Sequence, residues 1–279
     1  DAVSNGTVEM AHTPVYFYIG KEPTLGFGTG VPFGLNARLQ HSWWHFQGGA
    51  DLINEGLARF NAIAFACGNS GTQMGGWFRK EIKTVEDFKG LKFRVGGMGG
   101  AVLAKLGVVP TQIAPGDVYP ALERGTIDAA EFVGPYDDEK LGLSQVAKYY
   151  YYPGWWEGGA MLHLCVNSEK WNSLPKYYQA IVRNASEAAN NWMLAKYDSV
   201  NAPALKRLVG KGTELRPFPA DTVVAAYKAA NDYYAEIAAT NPLFKKTLES
   251  YMAYRDEQYL WWQIGDFSYD NLMIRLLRG

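Results

Sequence analysis

Two glutamates, an arginine and a glutamine carry most of the chemistry legible in this chain. Arg94 closes the run Leu91-Lys-Phe-Arg94, and Glu131 closes Gly125-Thr-Ile-Asp-Ala-Ala-Glu131, each at an expected strand end. Ligands of open α/β sheets bind outside the carboxyl ends of the strands, so a fixed cation and a fixed anion there mark a binding place. Glu157 stands between Trp156 and Gly158, closing the aromatic run that begins at Tyr149. A carboxylate among aromatics must be paired, liganded or protonated if it is buried. Glu131 and Glu157 together suit an acid–base pair or a set of hard oxygen ligands for a cation. Gln73, on a glycine-flanked loop after the apolar strand Ala62 to Cys67, adds a neutral oxygen donor. The plain alternatives are an exposed loop amide for Gln73 and a structural salt bridge for Arg94.

Three other patterns fall short of a mechanism. His41 and His45 share a helix face at i,i+4, but Ser42-Trp43-Trp44 between them lacks the glutamate base of a zinc peptidase, so no metal role is expected. Ser70 follows Gly68, yet Thr72 breaks the Gly-x-Ser-x-Gly elbow. In Gly96-Gly-Met-Gly-Gly100, Val102 falls where a dinucleotide loop needs a small residue. The helix start behind these glycines still favours a carboxylate beside Arg94.

These residues need elements to hold them. Leu91 to Tyr136 reads strand, glycine turn, helix, strand, helix, strand, the βαβ order of a mostly parallel sheet. Upstream, Val8 to Met10 and Val15 to Ile19 read as strands, then Asn36 to Phe46 and Ala50 to Arg59 as helices. Thr84-Val-Glu-Asp87 has the form of a capping box. Beyond strand Met161 to Val166, Ser173 is the expected N-cap of a long helix running to about Gly210. A strand from Thr213 to Arg216 and a helix from Asp221 to Ala239 follow. A helical tail from Pro242 to about Leu260 carries so much apolar surface that it must pack on this chain or on a partner.

Composition sets the outer limits. With 279 residues, 48% hydrophobic and 20% charged, the chain supports a full core as one large domain or two lobes. A net charge of −1 without long Lys/Arg runs excludes a nucleic-acid footprint. No apolar run is long enough to span a bilayer. Cys67 and Cys165 read as free thiols without metal-ligand spacing. Asp1 to Gly6 reads as a helix end with a glycine stop, as though the chain begins inside a fold.

Several runs together resemble the solute-binding proteins of tripartite ATP-independent periplasmic (TRAP) transporters. They are Gly90-Leu-Lys-Phe-Arg94, Tyr119-Pro-Ala-Leu-Glu-Arg-Gly-Thr-Ile-Asp-Ala-Ala-Glu131, and Val166-Asn167 with Leu174-Pro175. Gln73-Met-Gly-Gly-Trp-Phe-Arg-Lys-Glu-Ile82, Val133-Gly-Pro-Tyr136 and Tyr150-Tyr-Tyr-Pro-Gly154 resemble the branch that binds 2-oxo acids and related monocarboxylates. The resemblance implies an α/β, two-lobed periplasmic-binding-protein-like fold with a long connecting helix and an extended C-terminal helical tail. Residues 1–90 would form lobe I without its first β–α–β segment, and 91–166 lobe II. Residues 167–240 would be the connecting helix and the return to lobe I, and 241–279 a dimerisation tail. Arg94 would grip the ligand carboxylate. A Na+ or Ca2+ ion would be held by Gln73, Glu131, the main-chain carbonyl of Phe132, and Glu157, with Phe132 standing where the branch usually has Trp. Tyr18 and Asn167 would also touch the ligand. An all-oxygen donor set suits Na+ or Ca2+ over soft transition metals, and a cation relieves the repulsion between two carboxylates and an anionic ligand. The implied function is capture of a small 2-oxo or 2-hydroxy monocarboxylate, such as pyruvate or lactate, by an exported bacterial periplasmic homodimer that serves membrane permease subunits. The rival reading is a hydrolase or lyase using Glu131 and Glu157 as acid and base.

Overall fold

Alternating apolar residues decide which sheet face each strand buries, and capping residues decide where the helices start. The computed structural model describes residues 1–278. The chain opens with β1 (Met10–Thr13), two 3-10 turns (Val15–Tyr18 and Pro23–Leu25) and the short α1 (Gly26–Thr29). Asn36 accepts from the Leu39 N–H to start α2 (Ala37–Phe46), and α3 (Gly49–Ala58) follows. Next come β2 (Ala62–Asn69), β3 (Gly76–Phe78), a 3-10 turn over Val85–Phe88 with its capping box, β4 (Lys92–Arg94) and α4 (Gly97–Lys105). The middle continues through β5 (Val109–Thr111), α5 (Pro115–Glu123), β6 (Ala129–Ala130), α6 (Pro135–Lys140), β7 (Tyr149–Tyr152) and β8 (Met161–Asn167). The last third is α7 (Ser168–Ser173), α8 (Lys176–Gly210), β9 (Glu214–Pro217), α9 (Ala220–Ala238), α10 (Pro242–Ile264) and α11 (Asp266–Arg278).

The strands form two sheets. One has the order β1-β8-β2 and is antiparallel; the other has the order β5-β4-β6-β3-β7-β9. In the larger sheet β4 is parallel to β5 and β6, whereas β3 runs antiparallel to β6 and β7. Its two faces bury different cores. Phe78 and Tyr151 pack with Phe93 and Trp156 on one face, and Trp77 and Tyr150 with Leu122 and Leu143 on the other. Neighbouring residues on a strand point to opposite faces, so both faces of β3 and β7 read as apolar. At 35 residues α8 is roughly 50 Å long, enough to lie against β2 with one half and α6 with the other.

Several expectations are corrected. Val15–Tyr18 is a 3-10 turn, not a strand, and β1 begins at Met10. Ser173 ends α7, its hydroxyl donating to the Lys170 carbonyl at 2.7 Å, and α8 begins after Pro175. The C-terminal helix extends to Ile264 before Gly265 separates α11. The sheets draw strands from both sides of residues 90 and 166: β3 belongs with β6 and β7, and β8 lies between β1 and β2. β9 pairs with β7 in the larger sheet. Antiparallel partners distant in sequence draw each segment into the sheet whose face it completes. No described helix is long and apolar enough to cross a membrane.

Candidate functional site

Strand register brings the charged residues together. Arg94 is paired across β4 and β6 with Ala130, so Glu131 emerges beside it at the same sheet edge. The buried guanidinium donates from Nη1 to the Glu131 carbonyl oxygen at 2.5 Å, with Glu131 Oε2 3.3 Å away, and from Nε to the Ile113 carbonyl at 3.5 Å. The Gly96 N–H reaches Glu131 Oε2 at 3.4 Å. The Phe132 ring lies 5.5 Å from Arg94 Cζ. Arg94, Gly96, Ile113 and Phe132 edge a cleft of about 460 Å³ whose walls also include Tyr16, Gln73, Gln112, Met193 and Tyr197, with Glu131 buried behind Arg94.

Gln73 presents its oxygen for a local reason. The Ser70 hydroxyl donates to the Gly71 carbonyl at 3.2 Å, so its oxygen is left to accept from Gln73 Nε2 at 3.0 Å and from the Ala160 N–H at 3.2 Å. With the nitrogen held, Gln73 Oε1 faces away without a partner. Glu131 Oε1 and Glu157 Oε2 are likewise buried without a partner. Three orphaned oxygens within one site would each carry a desolvation cost of a few kcal/mol if nothing else met them. Burial pushes the Glu157 carboxyl well above the usual carboxylate range, and the Glu131 charge pushes it further, with a hydrogen bond from Tyr16 opposing. Burial raises Glu131 to about 7 against the pull of Arg94. By its chemistry this donor set fits a hard cation: oxygen only, anionic, and short of hydrogen bonds.

Close backbone approach shapes the pocket. A Cβ at Gly30 would stand 2.8 Å from Glu157 Cγ, and one at Gly97, which has φ of 59°, would stand 2.4 Å from the Tyr16 ring. Tyr16 is therefore a site residue that the sequence reading missed; its signal was the aromatic run Val15-Tyr-Phe-Tyr18 facing the glycine cluster. Ser70, set aside as a failed nucleophile, is the residue that orients Gln73.

Two expected ligand contacts lie elsewhere. On a strand Tyr16 and Tyr18 would share a face, but a 3-10 turn rotates successive residues by about 120°, which separates them. Tyr18 is exposed and lines a different hollow, with Leu25, Leu57 and Cys165. Asn167 is spent on structure: its side chain accepts from the Glu169 and Lys170 N–H groups and donates to the Val3 carbonyl. Cys67 is half-buried, Cys165 is buried, and both are free.

Comparison with known proteins gives this geometry a family. The model of the bacterial extracellular solute-binding proteins, family 7 (DctP), matches residues 1–241. A monocarboxylate 2-oxoacid-binding periplasmic protein of Nostoc sp. is 50% identical over 271 residues, 97% of this chain and 74% of that protein. The chain belongs to this family. It is a TRAP solute-binding protein and not an enzyme, which removes the acid–base reading of Glu131 and Glu157. It shares the two-lobed α/β fold of a TRAP solute-binding protein from Bordetella bronchiseptica, with 47% identity, a TM-score of 0.98, and coverage of 100% of this chain and 83% of that one. That crystal contains a mixed-occupancy dimer, with calcium and picolinate in one active site and none in the other. The TRAP solute-binding protein of Colwellia psychrerythraea, with bound calcium and pyruvate, is 40% identical with a TM-score of 0.95, covering 97% of this chain and 83% of its own. That of Pseudoalteromonas atlantica, with bound sodium and pyruvate, is also 40% identical, with a TM-score of 0.94 and the same coverage. Solute-binding proteins of this family take small organic acids and work with membrane permease subunits.

Proposed function

We propose that this TRAP solute-binding protein captures a small 2-oxo or 2-hydroxy monocarboxylate together with a Na+ or Ca2+ ion. Arg94 receives the ligand carboxylate, and Gln73 Oε1, Glu131, the Phe132 carbonyl and Glu157 hold the cation. The carrying observation is the set of three buried, unpartnered oxygens on Gln73, Glu131 and Glu157 beside Arg94. Charge balance supports it. Two ionised glutamates and an anionic ligand outweigh one arginine, and a divalent cation brings the sum to neutrality. The bound ion supplies a local positive charge, and the chain's own residues orient the carboxylate and exclude water. The relatives crystallised with pyruvate beside calcium or sodium agree with this chemistry. Phe132 in place of an indole leaves room for ligands longer than pyruvate.

The protein would act in the bacterial periplasm, its lobes closing on the ligand before delivery to the permease. Residues 1–90 would act as lobe I, 91–166 as lobe II, 167–240 as the connecting helix and return to lobe I, and 241–279 as the dimerisation tail, with strands exchanged between the two sheets across these bounds. The exposed apolar face of α10 and α11 supports a homodimer.

Calorimetric titration of unfolded and refolded protein with pyruvate, lactate and longer 2-oxo acids, each with Na+, Ca2+ or chelator, tests the reading. Stoichiometric, cation-dependent binding is expected, and Glu131→Gln should weaken the cation dependence. Equal affinity in chelator-treated, Na+-free buffer would refute the shared site.

A further inference from the structure

The histidine pair that lacked its glutamate in sequence acquires one in space. His41 and His45 on α2 both aim Nε2 at the Glu187 carboxylate on α8, at 3.3 and 3.0 Å, with the two ring centroids 4.5 Å apart. One donor atom from each of the three lies within 4.8 Å of the others. We propose that His41, His45 and Glu187 form a second metal site for a borderline divalent cation of the Zn2+ class, on the seam between α2 and α8.

The donor chemistry separates it from the cleft. Two imidazoles and one carboxylate suit Zn2+, Ni2+ or Cu2+, whereas the oxygen-only cleft suits Na+ or Ca2+. Zn2+ ligands lie about 2.0–2.1 Å from the metal, so tetrahedral donors stand roughly 3.4 Å from one another. The two imidazole–carboxylate separations of 3.3 and 3.0 Å run to different carboxylate oxygens, and a bound metal would draw one donor from each residue together from within 4.8 Å. As a plain ion pair the arrangement is poor, because two imidazolium rings this close repel each other. Neutral rings sharing one cation with the carboxylate do not. The two Glu187 oxygens each face one imidazole nitrogen, so the carboxylate sits between the rings.

A supporting shell is present too. The Asn190 side-chain amide touches His41 Nδ1 at 2.9 Å. The amide oxygen and nitrogen exchange by a half-turn, and the oxygen-facing orientation accepts from Nδ1–H and leaves the Nε2 lone pair for the metal. Side-chain exposures of 27%, 30% and 33% for His41, His45 and Glu187 leave an entry path and one open coordination position for water. The metal would pin α8 to α2, and α8 is the helix that carries Met193 and Tyr197 to the cleft wall.

The test uses tag-free protein saturated with pyruvate and Ca2+, so the cleft is already filled. Titration with Zn2+ should give one tight equivalent per chain and a higher melting temperature. His45→Ala and Glu187→Gln should each weaken Zn2+ binding by roughly a hundredfold, on the scale at which metal-site partners act, with pyruvate affinity unchanged. Co2+ bound to the unaltered chain should show the intense visible absorption of a low-coordinate site with imidazole ligands, a readout that needs no variant to fold. The proposal fails if Zn2+ binds only by displacing Ca2+, if the variants bind like the parent, or if Co2+ shows only the weak bands of a six-coordinate aqua ion.

Discussion

Arg94 meets the protein with only part of its guanidinium. Nη1 and Nε are taken by the Glu131 and Ile113 carbonyls, while Nη2 makes no hydrogen bond among the described residues. A lysine has neither the fork nor the reach to satisfy both the carbonyls and a ligand carboxylate. Arg94→Lys is therefore expected to cost roughly 1.5–3 kcal/mol of ligand binding, about ten- to a hundredfold, read by calorimetry on protein that circular dichroism shows to be folded. A second residue-scale prediction concerns His163, buried against Trp44 with both ring nitrogens unpartnered. Burial, helped by His12, holds its pKa at about 3, below the ordinary 6.5. Because the folded value is depressed, the unfolded chain takes up a proton below pH 6.5 that the folded chain refuses. Stability is then complete above 6.5 and falls by roughly 1.4 kcal/mol per pH unit towards 3. His163→Leu should lose about 2 kcal/mol less than the parent between pH 7.5 and 5 in urea denaturation. Parallel losses would show that the ring takes a proton in the fold.

At the scale of elements, α10 is tied to the early part of the chain by several hydrogen-bonding side chains, of which the Tyr251 phenol is the most deeply buried. The Tyr251 hydroxyl accepts from the Leu35 N–H at 2.9 Å and donates to Gln40 Oε1 at 3.0 Å, and its ring packs on Phe27 and Trp43. Tyr251→Phe keeps the packing but strands a buried N–H and a buried amide oxygen. The expected loss is about 1–3 kcal/mol, seen as a lower denaturation midpoint with an unchanged slope. A midpoint equal to the parent's would mean that water replaces the phenol. Downstream the same helix changes character. Arg38 stacks on Trp262 at 4.2 Å and pairs with Asp266 on α11, while Trp261, Leu260 and Ile264 are 59%, 68% and 73% exposed.

The whole molecule therefore presents an apolar helix face that its own core does not use. α11 buries none of its described residues, although Leu272, Ile274, Leu276 and Leu277 are apolar. Contiguous exposed apolar surface of this kind marks an interaction face in a monomer fold. Light scattering is expected to report a dimer. Leu260→Lys combined with Trp261→Asp should shift the mass to that of one chain while cation-dependent ligand binding persists, since the cleft is built by other elements. A parent chain with the mass of one subunit would end the dimer proposal.

Part of the proposed site was legible from residue type, and part only from the family resemblance. Arg94, Glu131 and Glu157 stood out because charged side chains in apolar, glycine-bounded runs need a partner wherever the chain buries them, whereas Gln73 read as an ordinary loop amide until the resemblance gave it a role. The helices read well because their caps and periodicities are local: Asn36, the Thr84 box and Asn241 each act within one turn. What escaped was set by distance in sequence. Tyr16 and not Tyr18 lines the cleft because a 3-10 turn, selected by packing, changed which ring faces the glycines. Asn167 was taken by a helix start and the Val3 carbonyl. The sheets interleaved because β3 and β8 found antiparallel partners far along the chain, and His41 and His45 met their carboxylate only when α8 crossed α2. Residue chemistry and helix ends are local properties that a linear pattern carries. Strand partners and cross-helix clusters depend on which distant faces bury each other, and only the folded chain decides that.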